Sequence, residues 1–117
     1  MPSSYLKDKP FEQRKAEHEN MKRRYPTRTC IFLERAIGSK LPNIDKNKFL
    51  VPSDLSVGQM MHVIRKRLTI EPAAAIFLFT EKNTMPTTSQ SIASLYKEYA
   101  NADGFLYLTY NTEDTFG

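Results

Sequence analysis

The chain has 117 residues, 40% of them hydrophobic and 26% charged, with a net charge of +4. That size suits one domain of the common range of about 100–150 residues, and the composition speaks against both a disordered chain and a membrane-spanning one. The single cysteine, Cys30, excludes an internal disulfide and offers no metal-ligand spacing, so a buried structural thiol in a reducing compartment is expected, with no metal and no cofactor.

The segment Met1 to Lys9 has no apolar run of the kind a secretory signal needs, which points to the cytoplasm. The longest apolar stretch, Ala73 to Phe79, is far short of the roughly 20 residues of a spanning helix, so any membrane attachment would have to be acquired. Basic residues are clustered, from Lys7 to Arg28 and again at Arg65-Lys66-Arg67. Such clusters suit phosphates, anionic lipids, acidic peptides or simply a solvated face.

Pro10 precedes a predicted helix from Phe11 to Tyr25. Phe11, His18, Met21 and Tyr25, with the stems of Arg14 and Lys22, fall on one side at about 100° per residue. A stripe so thin lays the helix on the outside of a core. Thr29 to Arg35 is β-branched and aromatic, which predicts a central strand. Turn chemistry from Gly38 to Asn47 leads into a second strand, Lys48-Phe49-Leu50-Val51, stopped by Pro52.

Ser56-Val57-Gly58-Gln59 has the capping-box form and opens a helix to about Leu68, with Val57, Met61, Ile64 and Leu68 as its core stripe. On that helix Val63 lies about 120° from the stripe with Met60 between, an apolar flank that either packs beneath a loop or lines a groove. Ala75 to Phe79 predicts a short strand, Gln90 to Tyr99 a helix, and Phe105 to Tyr110 a strand opened by the Asp103-Gly104 turn. Two strands, helix, strand, helix, strand is the order of an α+β roll of the ubiquitin-like β-grasp kind. From pattern alone a ferredoxin-like sandwich competes.

Five stretches carry a resemblance. Pro10-Phe11-Glu12-Gln13-Arg14-Lys15-Ala16-Glu17, Phe49-Leu50-Val51-Pro52-Ser53-Asp54-Leu55, Val63-Ile64-Arg65-Lys66-Arg67, Asp103-Gly104-Phe105-Leu106-Tyr107 and Thr115-Phe116-Gly117 follow one another along nearly the whole chain. Together they resemble the autophagy ubiquitin-like modifiers, the family of microtubule-associated light chain three and the GABA receptor-associated protein. The resemblance implies a ubiquitin-like core at 27–110, two additional N-terminal helices within 1–26 and a conjugation tail at 111–117. It also implies joining of Gly117 to phosphatidylethanolamine by activating, carrier and scaffold enzymes, with a cysteine protease for processing and deconjugation. The implied setting is autophagosome formation, with the chain cytoplasmic until lipidation brings it to an autophagosomal or related vesicle membrane. An unconjugated peptide-binding adaptor would differ only at the tail.

The residues of the tail agree with that chemistry. Asn111 to Thr115 is polar and reads as an extended, solvated arm, and a terminal glycine has no Cβ to obstruct a narrow enzyme cleft or attack on its carbonyl.

The resemblance further implies a groove for cargo-receptor motifs of the form aromatic-x-x-aliphatic, bound as an added strand beside Lys48 to Val51. Its aromatic pocket would be lined by Glu17, Met21, Cys30, Phe32, Lys48, Leu50 and Phe105, and its aliphatic pocket by Phe49, Val51, Pro52, Leu55, Met60 and Val63. Arg28 and Arg67 would flank it and meet acidic residues of the ligand. The family usually has proline at the position of Cys30 and a smaller aliphatic residue at that of Phe32; the added ring volume implies a narrowed aromatic pocket.

Other classes fit less well. His18 and His62 fall on different helices, Cys30 lies mid-strand and there is no Gly-rich phosphate loop, so no catalytic centre is expected. Basic helices beside Phe77, Phe79, Phe105 and Tyr107 suit a single-strand RNA reader. Yet Asp103 to Tyr110 lacks the basic residue and second small residue of an RNA-recognition strand, and no nucleic acid is expected.

Overall fold

The structure, a computed structural model, describes residues 8–71 and 74–112. Its elements are α1 (Phe11–Arg24), β1 (Arg28–Arg35), β2 (Lys48–Pro52), α2 (Val57–Leu68), β3 (Phe77–Thr80), α3 (Ile92–Tyr99) and β4 (Leu106–Asn111). Both the first of the two expected N-terminal helices and the conjugation residue Gly117 lie outside the described residues.

The four strands form one sheet in the order β2-β1-β4-β3. β1 and β4 pair in parallel at its centre, with Arg35 opposite Tyr110, while β2 and β3 are antiparallel edges. This parallel central pair, flanked by antiparallel edges, decides for the β-grasp roll over the ferredoxin-like sandwich.

Side-chain alternation along β1 and β4 divides the interior into two layers. On one face Ile31, Leu33, Leu106, Leu108 and Tyr110 join Val57, Met60 and Ile64 of α2 and Ile92 and Leu95 of α3 in the main core. On the other, Cys30, Phe32, Phe105 and Tyr107 form a second cluster that Met21 of α1 and Leu50 of β2 partly cover. α1 thus lies on the outside of the sheet, as its thin stripe predicts.

Local chemistry sets the ends of the helices. Ser56 Oγ accepts from the Gln59 N–H at 3.1 Å while Gln59 Oε1 accepts from the Ser56 N–H at 2.9 Å, closing the capping box of α2. Ser91 caps α3 through the Ser94 N–H at 3.1 Å. Pro10 stands one residue before α1 as its N-cap, in extended conformation.

Three expectations need correction. Met60, expected on the flank of α2, is fully buried with Val57, Ile64 and Leu68, whereas Met61 packs against the main core only partly buried. The third strand begins at Phe77, not Ala75. Asn111, read from its polarity as the start of the arm, is the last residue of β4; it pairs with Phe77 and satisfies its side chain locally, Oδ1 accepting from Thr112 N–H at 2.8 Å.

Candidate functional site

An open strand edge is the first requirement for adding a further strand, and β2 has one. Leu33 N–H donates to Asn47 O at 2.8 Å, which makes Leu33 and Asn47 a hydrogen-bonded pair of the β1–β2 ladder. Alternation along an antiparallel ladder then gives Ile31 with Phe49 and Thr29 with Val51 the same status. Lys48 and Leu50 fall in the intervening pairs, so their backbone N–H and C=O groups face away from β1. The Arg28 guanidinium already donates to Leu50 O at 3.3 Å from that side.

The side chains of β2 alternate too, and this sorts the expected lining residues into two groups. Lys48 and Leu50 stand on the face of the second cluster, beneath α1, whereas Phe49 and Val51 point into the main core beneath α2.

Between α1 and β2 opens a pocket of about 500 Å³ lined by Met21, Tyr25, Arg28, Lys46, Lys48 and Leu50. Glu17 stands at its rim, its carboxylate 2.9 Å from Lys48 Nζ and 2.6 Å from Lys9 Nζ. Cys30, Phe32 and Phe105 of the expected lining are 1%, 6% and 0% exposed; they belong to the buried second cluster and do not line the pocket. The Phe32 ring packs on Tyr107 with centroids 5.6 Å apart. Burial pushes the Cys30 thiol above its ordinary pKa and holds it protonated. Tyr25 and Lys46 were missed in the sequence: the first reads as part of the helix stripe, the second as turn chemistry, and only the path of the chain brings them together.

On the other face, Leu55 is half-buried and Val63 is 37% exposed, while Phe49 and Val51 are buried at 6% and 7% and Pro52 is exposed at the end of the strand. Met60, expected in this pocket, has no exposed surface and belongs to the core. The Arg67 guanidinium lies 5.7 Å from the centre of the Phe49 ring and pairs with Asp45 at 3.2 Å, and Lys46 Nζ approaches the same ring to 5.6 Å. Arg67 therefore covers the aliphatic side, and Arg28 stands beside the aromatic one.

α1 is held over this site by a buried polar network that the sequence pattern does not announce. Arg14 Nη1 lies 2.6 Å from Asp103 Oδ2, and Arg14 Nε donates to Lys9 O at 3.0 Å. Asp103 also accepts from Tyr107 OH and, at 2.9 Å, from the Phe105 N–H. Burial and the carboxylate together raise the Tyr107 phenol well above its ordinary pKa, so it remains a donor.

His18 meets the edge of the Phe105 ring at 5.7 Å and presses on Gly104. Gly104 has φ +100°, and a Cβ there would stand 2.1 Å from His18 Nδ1, so both backbone and packing demand glycine. Of the four candidates for base stacking, Phe79, Phe105 and Tyr107 are 3%, 0% and 4% exposed and Phe77 is half-buried, so the four together offer no open aromatic platform. Among the described residues no helix is long and apolar enough to cross a membrane.

Fold and site define a ubiquitin-like protein whose outer strand lies open between a helix on either face. Comparison with known proteins gives the family. The profile of the family described as Autophagy protein Atg8 ubiquitin like matches residues 13–117. Autophagy-related protein 8 of Candida glabrata is 45% identical over 117 residues, covering 100% of this chain and 98% of that protein. Autophagy-related protein 8e of Arabidopsis thaliana is 47% identical over 115 residues, covering 98% of this chain and 93% of that one. The crystal structure of Trypanosoma brucei ATG8 superposes with a TM-score of 0.92 at 39% identity and covers 100% of both chains. The chain belongs to the Atg8 family of ubiquitin-like autophagy proteins.

Proposed function

We propose that the chain is a modifier rather than an enzyme. Gly117 is joined to phosphatidylethanolamine by activating, carrier and scaffold enzymes, and a cysteine protease processes and releases it. In this reading the ubiquitin-like core runs from residue 27 to the end of β4 at Asn111, 1–26 pack on it and 112–117 form the conjugation tail. The protein is cytoplasmic before conjugation and sits on autophagosomal or related vesicle membranes after it. There the groove along β2 holds aromatic-x-x-aliphatic motifs of cargo receptors.

One observation carries the groove: the pocket lined by Met21, Tyr25, Lys48 and Leu50 and the partly exposed Leu55 and Val63, which would receive the aliphatic residue, lie on opposite faces of a single strand edge. Residues three apart on an extended ligand point to opposite faces, so an aromatic side chain and an aliphatic one at that spacing reach the two pockets together. Backbone groups of Lys48 and Leu50 supply the strand pairing, and Arg28, Lys46 and Lys48 favour acidic neighbours of the motif.

Phe32 sets the preference among aromatics. It lies buried against Tyr107 in the cluster that Met21 and Leu50 of the pocket pack on, and a packed site rejects extra atoms at a cost of about 1–3 kcal/mol, so peptides led by tyrosine or phenylalanine lose less than those led by tryptophan. Titration of matched peptides that differ only in the leading aromatic tests both points. Tryptophan peptides should gain about tenfold or more in affinity on Phe32→Ile, for about 1.4 kcal/mol recovered. Binding that does not change when the aliphatic residue is moved by one position would refute the two-faced groove.

A further inference from the structure

β1 and β4 run parallel, so both end on the same side of the sheet, and the chain leaves β4 toward Gly117 beside the loop that follows β1. The two are joined directly: Ala36 N–H donates to Tyr110 O at 2.9 Å. At the tip of that loop stands Ile37, 73% exposed, more than Phe11, Tyr25, Val63 or Met85, the other large apolar side chains exposed among the described residues.

The tip is built rather than frayed. Ser39 N–H donates to Ala36 O at 3.1 Å, and the Arg35 guanidinium donates to Ser39 O at 3.4 Å and to Leu41 O at 3.1 Å. Gly38 turns the chain at φ +81°. Lys40, in the same loop, and Lys46, where the chain returns to β2, are exposed, whereas Asp45 is engaged by Arg67 at 3.2 Å.

We propose that this end of the molecule is its membrane-facing surface: Ile37 enters the interfacial region of the bilayer while Lys40 and Lys46 contact lipid phosphates. The inference rests on lipid attachment at Gly117. Covalent geometry limits the span from Thr112 to Gly117, five residues on, to about 18 Å, so the end bearing Ile37 stays close to the bilayer. Tethering supplies a high effective concentration, and one apolar side chain with two cations then suffices where it would recruit nothing from solution. The two lysines also offset Glu113 and Asp114 of the connecting arm at an anionic surface.

The chain has no tryptophan, which makes a single-reporter test direct. A Gly117→Cys chain is coupled without enzymes to maleimide-phosphatidylethanolamine in vesicles of phosphatidylcholine and phosphatidylserine; Cys30 is buried and leaves the terminal thiol as the reactive one. On coupling, Ile37→Trp emission should shift to shorter wavelength and be quenched by brominated acyl chains, and Lys40→Glu with Lys46→Glu should weaken the quenching. Tyr25→Trp, which precedes β1 at the opposite end of the sheet, should emit as in solution. A second readout guards against insertion driven by the tryptophan itself: amide exchange from Ile37 to Lys40 should slow on coupling in the chain with native Ile37 and not in Ile37→Asp.

Emission from Ile37→Trp that is the same coupled and free overturns the proposal. So does a coupled reporter that stays in water while Ile37→Asp slows enzymatic transfer to lipid, since the tip would then dock an enzyme. Failure of the conjugation reading would show in the enzymatic reaction alone and leave the chemically coupled measurement standing.

Discussion

Arg14 in α1 and Asp103 in the turn before β4 form an ion pair of 2.6 Å across 89 residues of sequence, with side chains only 10% and 0% exposed. This pair fastens the N-terminal helix to the second face of the sheet and thereby builds one wall of the groove. Removing one partner of a buried pair leaves the other charge uncompensated, which costs about 3–5 kcal/mol. Arg14→Ala should lose that much in urea unfolding and release α1, seen as faster amide exchange along the helix. A loss under about 1 kcal/mol would show that the pair does not hold the helix.

His18 makes the same junction sensitive to acid. Burial lowers its folded pKa below the ordinary value of 6.5, although the Asp103 carboxylate pulls partly the other way. The unfolded chain therefore binds more protons once the pH drops through about 6.5, and stability falls from there down to the folded pKa. The contribution is complete above that window. Unfolding followed between pH 7.5 and pH 5, about the window that linkage defines, should show stability declining on acidification, with a shallower decline for His18→Phe. Equal slopes for the two proteins would remove His18 from the account.

Leu108 marks the face of β4 that looks into the main core. It is 1% exposed and belongs to the main core, not to the cluster under α1. Leu108→Ala should cost about 2–5 kcal/mol, as truncation of a buried leucine does. Val63→Ala, at a site 37% exposed, should leave the unfolding midpoint nearly unchanged while weakening peptide binding. A Leu108→Ala protein with an unaltered midpoint would mean that the inward face of β4 is misassigned.

Much of the fold was legible because it rests on local signals. The capping box at Ser56, the Asp103-Gly104 turn and the apolar runs of β1 and β4 each declare an element from a few neighbouring residues. What stayed hidden depends on distant partners. Met60 and Met61 are equally apolar, and only the packing of the assembled domain decides that the first is fully buried and the second partly. The stem of Arg14 falls on the thin stripe of its helix, but the partners of its charge, Asp103 and Tyr107, arrive from the other end of the chain. Cys30, Phe32 and Phe105 belong to the expected aromatic pocket, but their depth follows from how closely α1 and β2 seal the second cluster. Lys46 and Tyr25 enter the pocket through the path of the backbone rather than through any motif.

The central claim is that Gly117 is the atom-bearing end of a conjugation reaction, and one reconstitution tests it most directly. The chain is incubated with the activating and carrier enzymes of the Atg8 system, ATP and phosphatidylethanolamine vesicles, beside a chain lacking only Gly117. The lipid adduct should form with the first and be absent with the second, while both unfold at the same urea midpoint because the deletion lies beyond β4. An adduct of equal yield from the chain without Gly117 would contradict the account.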